Sequence, residues 1–135
     1  MNSFDLKIVT PDGLAYDGKA EELIVRTTSG EMGIMAGHIN CVAPLGMGRA
    51  MVLTEGQRKY AACIGGMVSM VDNKVTLVAT TFEWADNIDL PRAQRSEERA
   101  NQVLANKNAS KQELQLAEAR LKRALVRKSV AQTGK

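Results

Sequence analysis

Apolar and polar residues alternate with a period of two along the first part of the chain. The run from Phe4 to Thr10 has this pattern, which is typical of a half-buried strand. Similar runs lie at residues 14–20, 22–27, 49–53, 58–64, 67–71 and 74–80. Turn sequences separate them, at residues 11–13, 54–57 and 72–73. The pattern predicts an antiparallel β-sandwich or flattened barrel over residues 1–84.

The apolar period changes after the segment 82–95, which predicts a different structure for residues 85–135. Asp89 can accept hydrogen bonds from the first turn of a helix, and Pro91 lies where its missing N–H is not needed. Apolar side chains then follow a helical period at Ala93, Ala100, Val103 and Leu104. We therefore predict a hinge followed by a first helix that ends before residues 106–109.

A second helix is predicted to begin at Ser110, because Ser110 and Glu113 form a capping box. Its apolar stripe consists of Leu114, Ala117, Leu121, Ala124 and Leu125. Two helices joined by so few residues must pack as an antiparallel hairpin. Their stripes are rich in alanine and bury little area, so the hairpin is expected to detach or rearrange readily. The predicted fold class is α+β, with a sandwich followed by a helical hairpin.

The segment 29–38 interrupts the strand pattern. Its glycines at positions 30, 33 and 37 predict a shaped loop that carries Glu31 and the single histidine, His38. A solvent-facing histidine on a connection is one interpretation of this segment. Catalytic chemistry is disfavoured, because the sequence contains no Ser-His-Asp order, no second histidine for a metal and no phosphate-binding loop. We expect no metal site and no enzymatic activity.

Composition restricts the classes of function. Aromatic residues make up only 4% of the chain, too few for base-stacking platforms, and the net charge of +3 is mild. No apolar run approaches the length of a membrane span, and no leader sequence precedes the first strand. Cys41 and Cys63 lie far apart in the chain and are expected to be buried thiols of a cytosolic protein.

The basic residues concentrate in the predicted helices and form two ridges. Arg92, Arg95 and Arg99 share one spacing, and Arg120, Arg123 and Arg127 repeat it on the second helix. In an antiparallel hairpin both ridges lie on the same side, with Arg99 level with Arg120 and Arg92 level with Arg127. A triphosphate or an acidic protein surface would relieve the resulting repulsion. The alternative is a solvated basic face, or local pairing with Glu97, Glu98 and Glu118.

Several motifs resemble one known family. They are the run from Phe4 to Gly13, Tyr16-Asp17-Gly18, Gly30-Glu31-Met32-Gly33-Ile34 and Gly37-His38. Together, in this order, they resemble the epsilon subunit of bacterial F-type rotary ATP synthases, and the similarity extends over essentially the whole chain. The sequence departs from the family pattern at residues 35–36 and 39–41, where the family more often has proline-containing runs.

This resemblance implies a place in the rotor of the enzyme. The sandwich would contact the gamma subunit and rest on the ring of c subunits, with Glu31 and His38 facing that interface. The chain would lie at the cytoplasmic face of the bacterial cell membrane as a peripheral component. Apolar residues on the outer face of the sandwich would serve the contact with these partners.

The resemblance also implies a nucleotide site. Residues 88–93 resemble the I/L-D-x-x-R-A signature that some bacterial epsilon subunits use to bind ATP. By this resemblance Glu83, Ile88, Asp89, Arg92 and Ala93 would contact ATP, and Arg99 with second-helix arginines would hold its phosphates. Arg123 and Arg127 are the geometric choices on that helix, followed by Arg120. ATP would be a regulatory ligand, and participation of Mg²⁺ is left open.

Two functions follow from these patterns as hypotheses. In the first, ATP favours a compact hairpin, and an extended hairpin reaches the alpha and beta subunits and blocks ATP hydrolysis. The alternative is a basic helical module that binds nucleic acid. The sparse aromatics and the acidic residues interleaved with the arginines count against that alternative.

Overall fold

The computed structural model describes residues 2–133, and the predicted combination of a sandwich and a helical hairpin is confirmed. The strands are β1 (Phe4–Thr10), β2 (Gly13–Ala20), β3 (Glu22–Thr27), β4 (Gly30–Met35), β5 (Cys41–Pro44), β6 (Met47–Thr54), β7 (Gln57–Val71) and β8 (Lys74–Trp84). A short 3-10 turn at Ala85–Asn87 leads to α1 (Leu90–Ala105) and α2 (Lys111–Thr133). The helices follow the strands without any return to the sheet.

One continuous sheet builds both layers of the sandwich. Its strands are ordered β2-β1-β8-β7-β6-β3-β4, and β5 adds to β7. The first half of β7 pairs with β6, and its second half pairs with β5. The bend between the halves lies at Gly65 and Gly66, whose φ angles are +70° and +113°. A Cβ atom on Gly66 would lie 1.9 Å from the carbonyl oxygen of Val78, so only glycine fits there.

The strand prediction needs three corrections. Residues 58–64 and 67–71 form one bent strand, not two. The pairing of β1 with β8 is parallel, whereas the other pairings are antiparallel. These two strands come from opposite ends of the module, so no tight turn joins them to impose an antiparallel arrangement.

The third correction concerns the segment that was predicted to be a shaped loop. Residues Gly30–Met35 form β4, which pairs with β3 along its full length. Gly30 has a φ of +124° and begins the strand after a tight turn, and Ile34 is fully buried in the core. Three glycines within eight residues masked the alternation of Met32 and Ile34, so the segment gave no clear strand signal.

The core lies between the two layers and is built from the alternating positions of the strands. Its largest fully buried side chains include Phe4, Leu6, Ile8, Leu23, Ile34, Met70 and Leu77. Burial raises the pKa of the Cys63 thiol to about 12, because the apolar surroundings disfavour the thiolate. Cys41 is only half-buried, so the prediction of two buried thiols holds for Cys63 alone.

The predicted caps set the helix starts. The Asp89 Oδ1 atom accepts a hydrogen bond from the Arg92 backbone N–H at 3.0 Å, and proline follows in the first turn. The Ser110 Oγ atom accepts from the Glu113 N–H at 3.1 Å, while Glu113 Oε1 accepts from the Ser110 N–H at 3.3 Å. All three hydrogen bonds satisfy N–H groups at the helix starts that have no partner within the helix.

The two helices pack through small side chains. The buried residues between them are Ala93, Ala100, Ala117 and Ala124. Leu125, predicted to belong to this stripe, is 44% exposed. Instead, the last turns of α2 present a second apolar row to the sandwich. Val130 is buried against Ala62 and Ala85, with Val126 packed beside it. The hairpin is thus folded down onto the sandwich.

Candidate functional site: two adjoining clefts at the helical hairpin

The first cleft, here called the hinge cleft, lies where the sandwich, the 3-10 turn and both helices meet. Its volume is about 510 Å³, within the range of small-molecule sites. It is lined by Thr10, Asp12, Thr80, Thr81, Phe82, Glu83, Asn87, Ile88, Asp89, Arg92, Ala93, Ser96, Ala124 and Arg127. The lining combines carboxylates, hydroxyls and guanidinium groups with a few apolar side chains, which suits a polar, charged ligand.

The start of α1 positions the signature residues of this cleft. Because Asp89 caps the helix, its carboxylate is held at the N-terminus and Arg92 follows in the first turn. Ala93 is 4% exposed and allows α2 to approach closely. The hinge residue Ile88 is half-buried against the cluster formed with Val130. The local sequence therefore determines where these groups lie relative to one another.

Arg127 connects the hairpin to the sandwich. Its Nε atom donates to Glu83 Oε1 at 2.6 Å, so α2 is linked directly to β8. The Arg127 side chain is 28% exposed and that of Glu83 is 33% exposed. Water therefore screens the ion pair only in part. The pair contributes more to stability than a fully exposed pair would. The link exists only while the hairpin lies on the sandwich.

The second cleft, here called the inter-helix cleft, lies farther along the hairpin and has a volume of about 480 Å³. It is lined by Ser96, Arg99, Ala100, Val103, Glu113, Leu116, Ala117, Arg120, Arg123 and Arg127. Ser96 and Arg127 line both clefts, so the two adjoin. Four guanidinium groups around one cleft form a strongly positive environment that favours an anion.

The nine residues predicted to bind ATP all line these two clefts. The hinge cleft brings together Glu83, Ile88, Asp89, Arg92, Ala93 and Arg127. The inter-helix cleft brings Arg99, Arg120 and Arg123 to Arg127. Arg99 and Arg120 thus share one cleft, and Arg92 and Arg127 share the other, in the order predicted from an antiparallel hairpin. Arg95 lines neither cleft.

Local neutralisation of the arginines, the alternative interpretation, is limited. Within residues 2–133, the one arginine with a carboxylate partner is Arg127. Glu97 instead pairs with Lys128, whose Nζ atom lies 3.0 Å from Glu97 Oε2. Arg92, Arg99, Arg120 and Arg123 therefore keep uncompensated charge beside the clefts.

The sandwich contributes lining residues that the sequence patterns did not indicate. Thr10 and Asp12 lie at the turn between β1 and β2, and Thr80 and Thr81 lie on β8. Asp12 belonged to a recognised turn sequence, but nothing in that pattern relates it to the helices. Only the tertiary arrangement brings this turn to the hinge.

Glu31 and His38 lie away from both clefts. Glu31 is exposed near the start of β4, and His38 is half-buried after the end of that strand. The His38 Nδ1 atom lies 2.8 Å from the carbonyl oxygen of Ile39 and 3.8 Å from the Cys41 Sγ atom. The two residues are therefore separated by the length of β4 and are not brought together.

A cluster of exposed apolar side chains, here called the outer patch, lies on the outside of one layer. It consists of Val42, Met67, Val71 and Val78, which are between 45% and 65% exposed. Met67 and Val78 are cross-strand partners, and Val42 lies opposite Ser69 between Met67 and Val71. Contiguous apolar surface of this kind is typical of a contact with another protein.

Within residues 2–133, no group of His, Cys, Asp and Glu side chains is arranged to hold a metal ion. None of the helices in that range combines the length and apolar character needed to cross a membrane.

The fold and the clefts define a class of protein: a β-sandwich on which a two-helix hairpin closes over a polar cleft. Residues 3–85 match the sequence model of the ATP synthase delta/epsilon chain β-sandwich domain, and residues 86–132 match that of its long α-helix domain. The chain belongs to the ATP synthase delta/epsilon family, so the resemblance drawn from its motifs is confirmed.

Individual relatives agree with this assignment. The chain is 38% identical over 131 residues to the ATP synthase epsilon chain of Shouchella clausii, covering 97% of this chain and 96% of that one. It is 41% identical to that of Bacillus cytotoxicus, covering 97% and 98% respectively. In fold it is similar to a chain of the Euglena gracilis mitochondrial ATP synthase, with a TM-score of 0.80 at 22% identity, covering 90% and 77%.

Proposed function

We propose that this chain is a non-catalytic, regulatory subunit of the central stalk of an F-type ATP synthase, and that it binds ATP as a regulatory ligand. The proposal rests above all on the hinge cleft, where residues 88–93 meet Glu83 and Arg127. Carboxylates and arginines in one cleft can serve the two unlike ends of a nucleotide. The adjoining inter-helix cleft offers further guanidinium groups to the phosphates.

The same cleft supports a switching mechanism. A ligand there touches the sandwich, the hinge and both helices, and these elements meet only while the hairpin is folded down. ATP would therefore bind the compact form better than an extended form, and this difference in affinity would shift the population. In the extended form the basic α2 would engage the alpha and beta subunits and inhibit ATP hydrolysis.

The sandwich would couple the gamma subunit to the c ring at the cytoplasmic face of the bacterial membrane. The outer patch supports a contact with a protein partner, because its exposed valines and methionine form one apolar surface. We assign this patch to gamma. Glu31 and His38, near opposite ends of β4, would face the c ring and gamma.

Calorimetry of the full chain with ATP, ADP and GTP tests the nucleotide site. The decisive variant is Arg92→Gln, which keeps a polar side chain but removes one positive charge from the hinge cleft. We expect ATP affinity to fall about tenfold, as for loss of one charge-assisted contact. Arg95→Gln is the matched control, because Arg95 lies one turn away and lines neither cleft.

An Arg92→Gln protein that binds ATP as tightly as the unchanged chain would refute the site.

The inhibitory role is tested separately in the assembled enzyme. Truncation after residue 88 should raise ATP hydrolysis if the helices inhibit it. Unchanged hydrolysis would leave only the coupling role.

A further inference from the structure

The turn between β1 and β2 forms part of the sandwich wall of the hinge cleft. Its shape is set by Thr10, whose Oγ1 atom accepts from the Asp12 N–H at 3.1 Å and donates to the Gly13 carbonyl oxygen at 3.2 Å. Gly13 supports the turn with a φ of +122°. The turn therefore presents the Asp12 side chain from a defined position on the rim of the cleft.

Among residues 2–133, the Asp12 carboxylate has no hydrogen-bond or ion-pair partner. It differs in this from the other two carboxylates of the cleft. Glu83 accepts from Arg127, and Asp89 caps α1. Glu83 and Asp89 each use one oxygen in these hydrogen bonds, whereas the exposed Asp12 is the carboxylate of the cleft with both oxygens available to a ligand.

Charge determines which end of a nucleotide can lie beside Asp12. A phosphate group next to an uncompensated carboxylate is repelled, whereas four arginines line the inter-helix cleft. The phosphates of a bound nucleotide would therefore point toward the inter-helix cleft, and its uncharged part would remain near the sandwich. There the side chains divide into an apolar set, including Phe82, Ile88 and Ala93, and a hydroxyl-bearing set, Thr80 and Thr81.

We propose that Asp12 is a specificity-determining residue that accepts a hydrogen bond from a ribose hydroxyl of the nucleotide in the hinge cleft. Carboxylates accept from ribose hydroxyls in other nucleotide-binding folds, and the neighbouring threonines provide a polar wall for a sugar. The base then lies against the apolar set. This inference rests on the proposed function, and it makes the sandwich a direct part of the nucleotide site.

The test compares Asp12→Ala and Asp12→Asn with the unchanged chain by calorimetry. The ligands are ATP, 2′-deoxy-ATP, 3′-deoxy-ATP and inorganic tripolyphosphate, which lacks the sugar and the base. We expect Asp12→Ala to weaken ATP binding about tenfold, as for loss of one charge-assisted hydrogen bond. Asp12→Asn retains an acceptor, the amide oxygen, and should therefore lose less ATP affinity than Asp12→Ala. Tripolyphosphate should bind Asp12→Ala as tightly as before or more tightly, because a repulsive charge is gone.

The deoxynucleotides identify the group that Asp12 contacts. The unchanged chain should bind one of them about tenfold more weakly than ATP, and Asp12→Ala should remove that difference. Asp17→Ala is the matched control, since Asp17 is an exposed residue of β2 outside both clefts and the variant removes an equal charge. Circular dichroism and thermal unfolding would establish that each variant folds.

The possible outcomes distinguish failure of the Asp12 contact from failure of the proposed ATP site. If the unchanged chain binds ATP but Asp12→Ala binds it equally or more tightly, Asp12 acts only through its charge and the inference is wrong. Equal affinity of the unchanged chain for ATP and both deoxynucleotides overturns the sugar assignment. If the unchanged chain does not bind ATP, the nucleotide site and this inference fall together.

Discussion

Among residues 2–133, Arg127 is the one arginine of the helices that has a carboxylate partner. Its pair with Glu83 joins the end of the sheet to α2 and lies between the two clefts. A bound anion near Arg127 would compete with Glu83 for the same guanidinium group. The Arg127 side chain is a structural link in this structure, and under the proposed function it would also contact the nucleotide.

Arg127→Ala should lower the free energy of unfolding by about 1 kcal/mol, because it leaves Glu83 half-buried without its partner. Urea denaturation at neutral pH measures this change. Arg120→Ala is the control: Arg120 is exposed on the same helix and has no carboxylate partner within residues 2–133. The control should change stability by less than about 0.5 kcal/mol. Equal effects of the two variants would mean that the ion pair contributes nothing measurable.

At the scale of elements, β7 decides the architecture of the sandwich, because its bend lets one sheet form both layers. The bend depends on Gly66, where a Cβ would contact the backbone of β8. No flexible side chain can move aside to make room. The strand therefore tolerates glycine alone at this position.

Gly66→Ala should destabilise the chain by at least about 3 kcal/mol, since both the contact at 1.9 Å and the φ of +113° oppose a side chain. Gly33→Ala is the matched control, because a Cβ on Gly33 of β4 meets nothing within 4 Å. The control should be neutral or slightly stabilising. Thermal unfolding of both variants checks the difference, and a stable Gly66→Ala protein would contradict the account of the bend.

Sequence patterns predicted the elements that depend on local chemistry. The caps at Asp89 and Ser110 and the hairpin turn at Asp72-Asn73 are set by residues within a few positions of one another. The patterns failed where a distant partner decides the outcome. β4 forms because β3 provides its hydrogen bonds and the core accepts Ile34, and neither condition is visible in residues 29–38.

The residues of the candidate site likewise divide into those that the sequence predicted and those that only the tertiary arrangement brings in. The signature at residues 88–93 and the helical spacing of the arginines gave eight of the nine predicted residues, and the family resemblance gave Glu83. All nine line the two adjoining clefts. The contribution of the β1–β2 turn depends on how the helices dock on the sandwich, and helical periodicity contains no such information. The docking residues Val126 and Val130 were missed for that reason.

At the scale of the whole molecule, the proposed switch requires that the hairpin be held on the sandwich by a modest free energy. The contacts between the two modules include one ion pair and the small apolar cluster of Val126 and Val130 with Ala62, Tyr60, Ala85 and Ile88. The helices meet each other mainly through alanines. The core of the sandwich is separate from this cluster, so we expect that the hairpin can open without unfolding the sandwich.

Val130→Ala should therefore loosen the hairpin and leave the sandwich unchanged. Val130 is 1% exposed, and removing two buried methylene equivalents costs about 1.6 kcal/mol. Hydrogen exchange of α2 amides should accelerate roughly tenfold or somewhat more, while exchange in the strands stays constant. Leu125→Ala, at a 44% exposed position on the same helix, should have little effect. If amide exchange in the strands accelerates by the same factor as in α2, the hairpin opens only when the whole chain unfolds. That result would rule out a switch that leaves the sandwich folded.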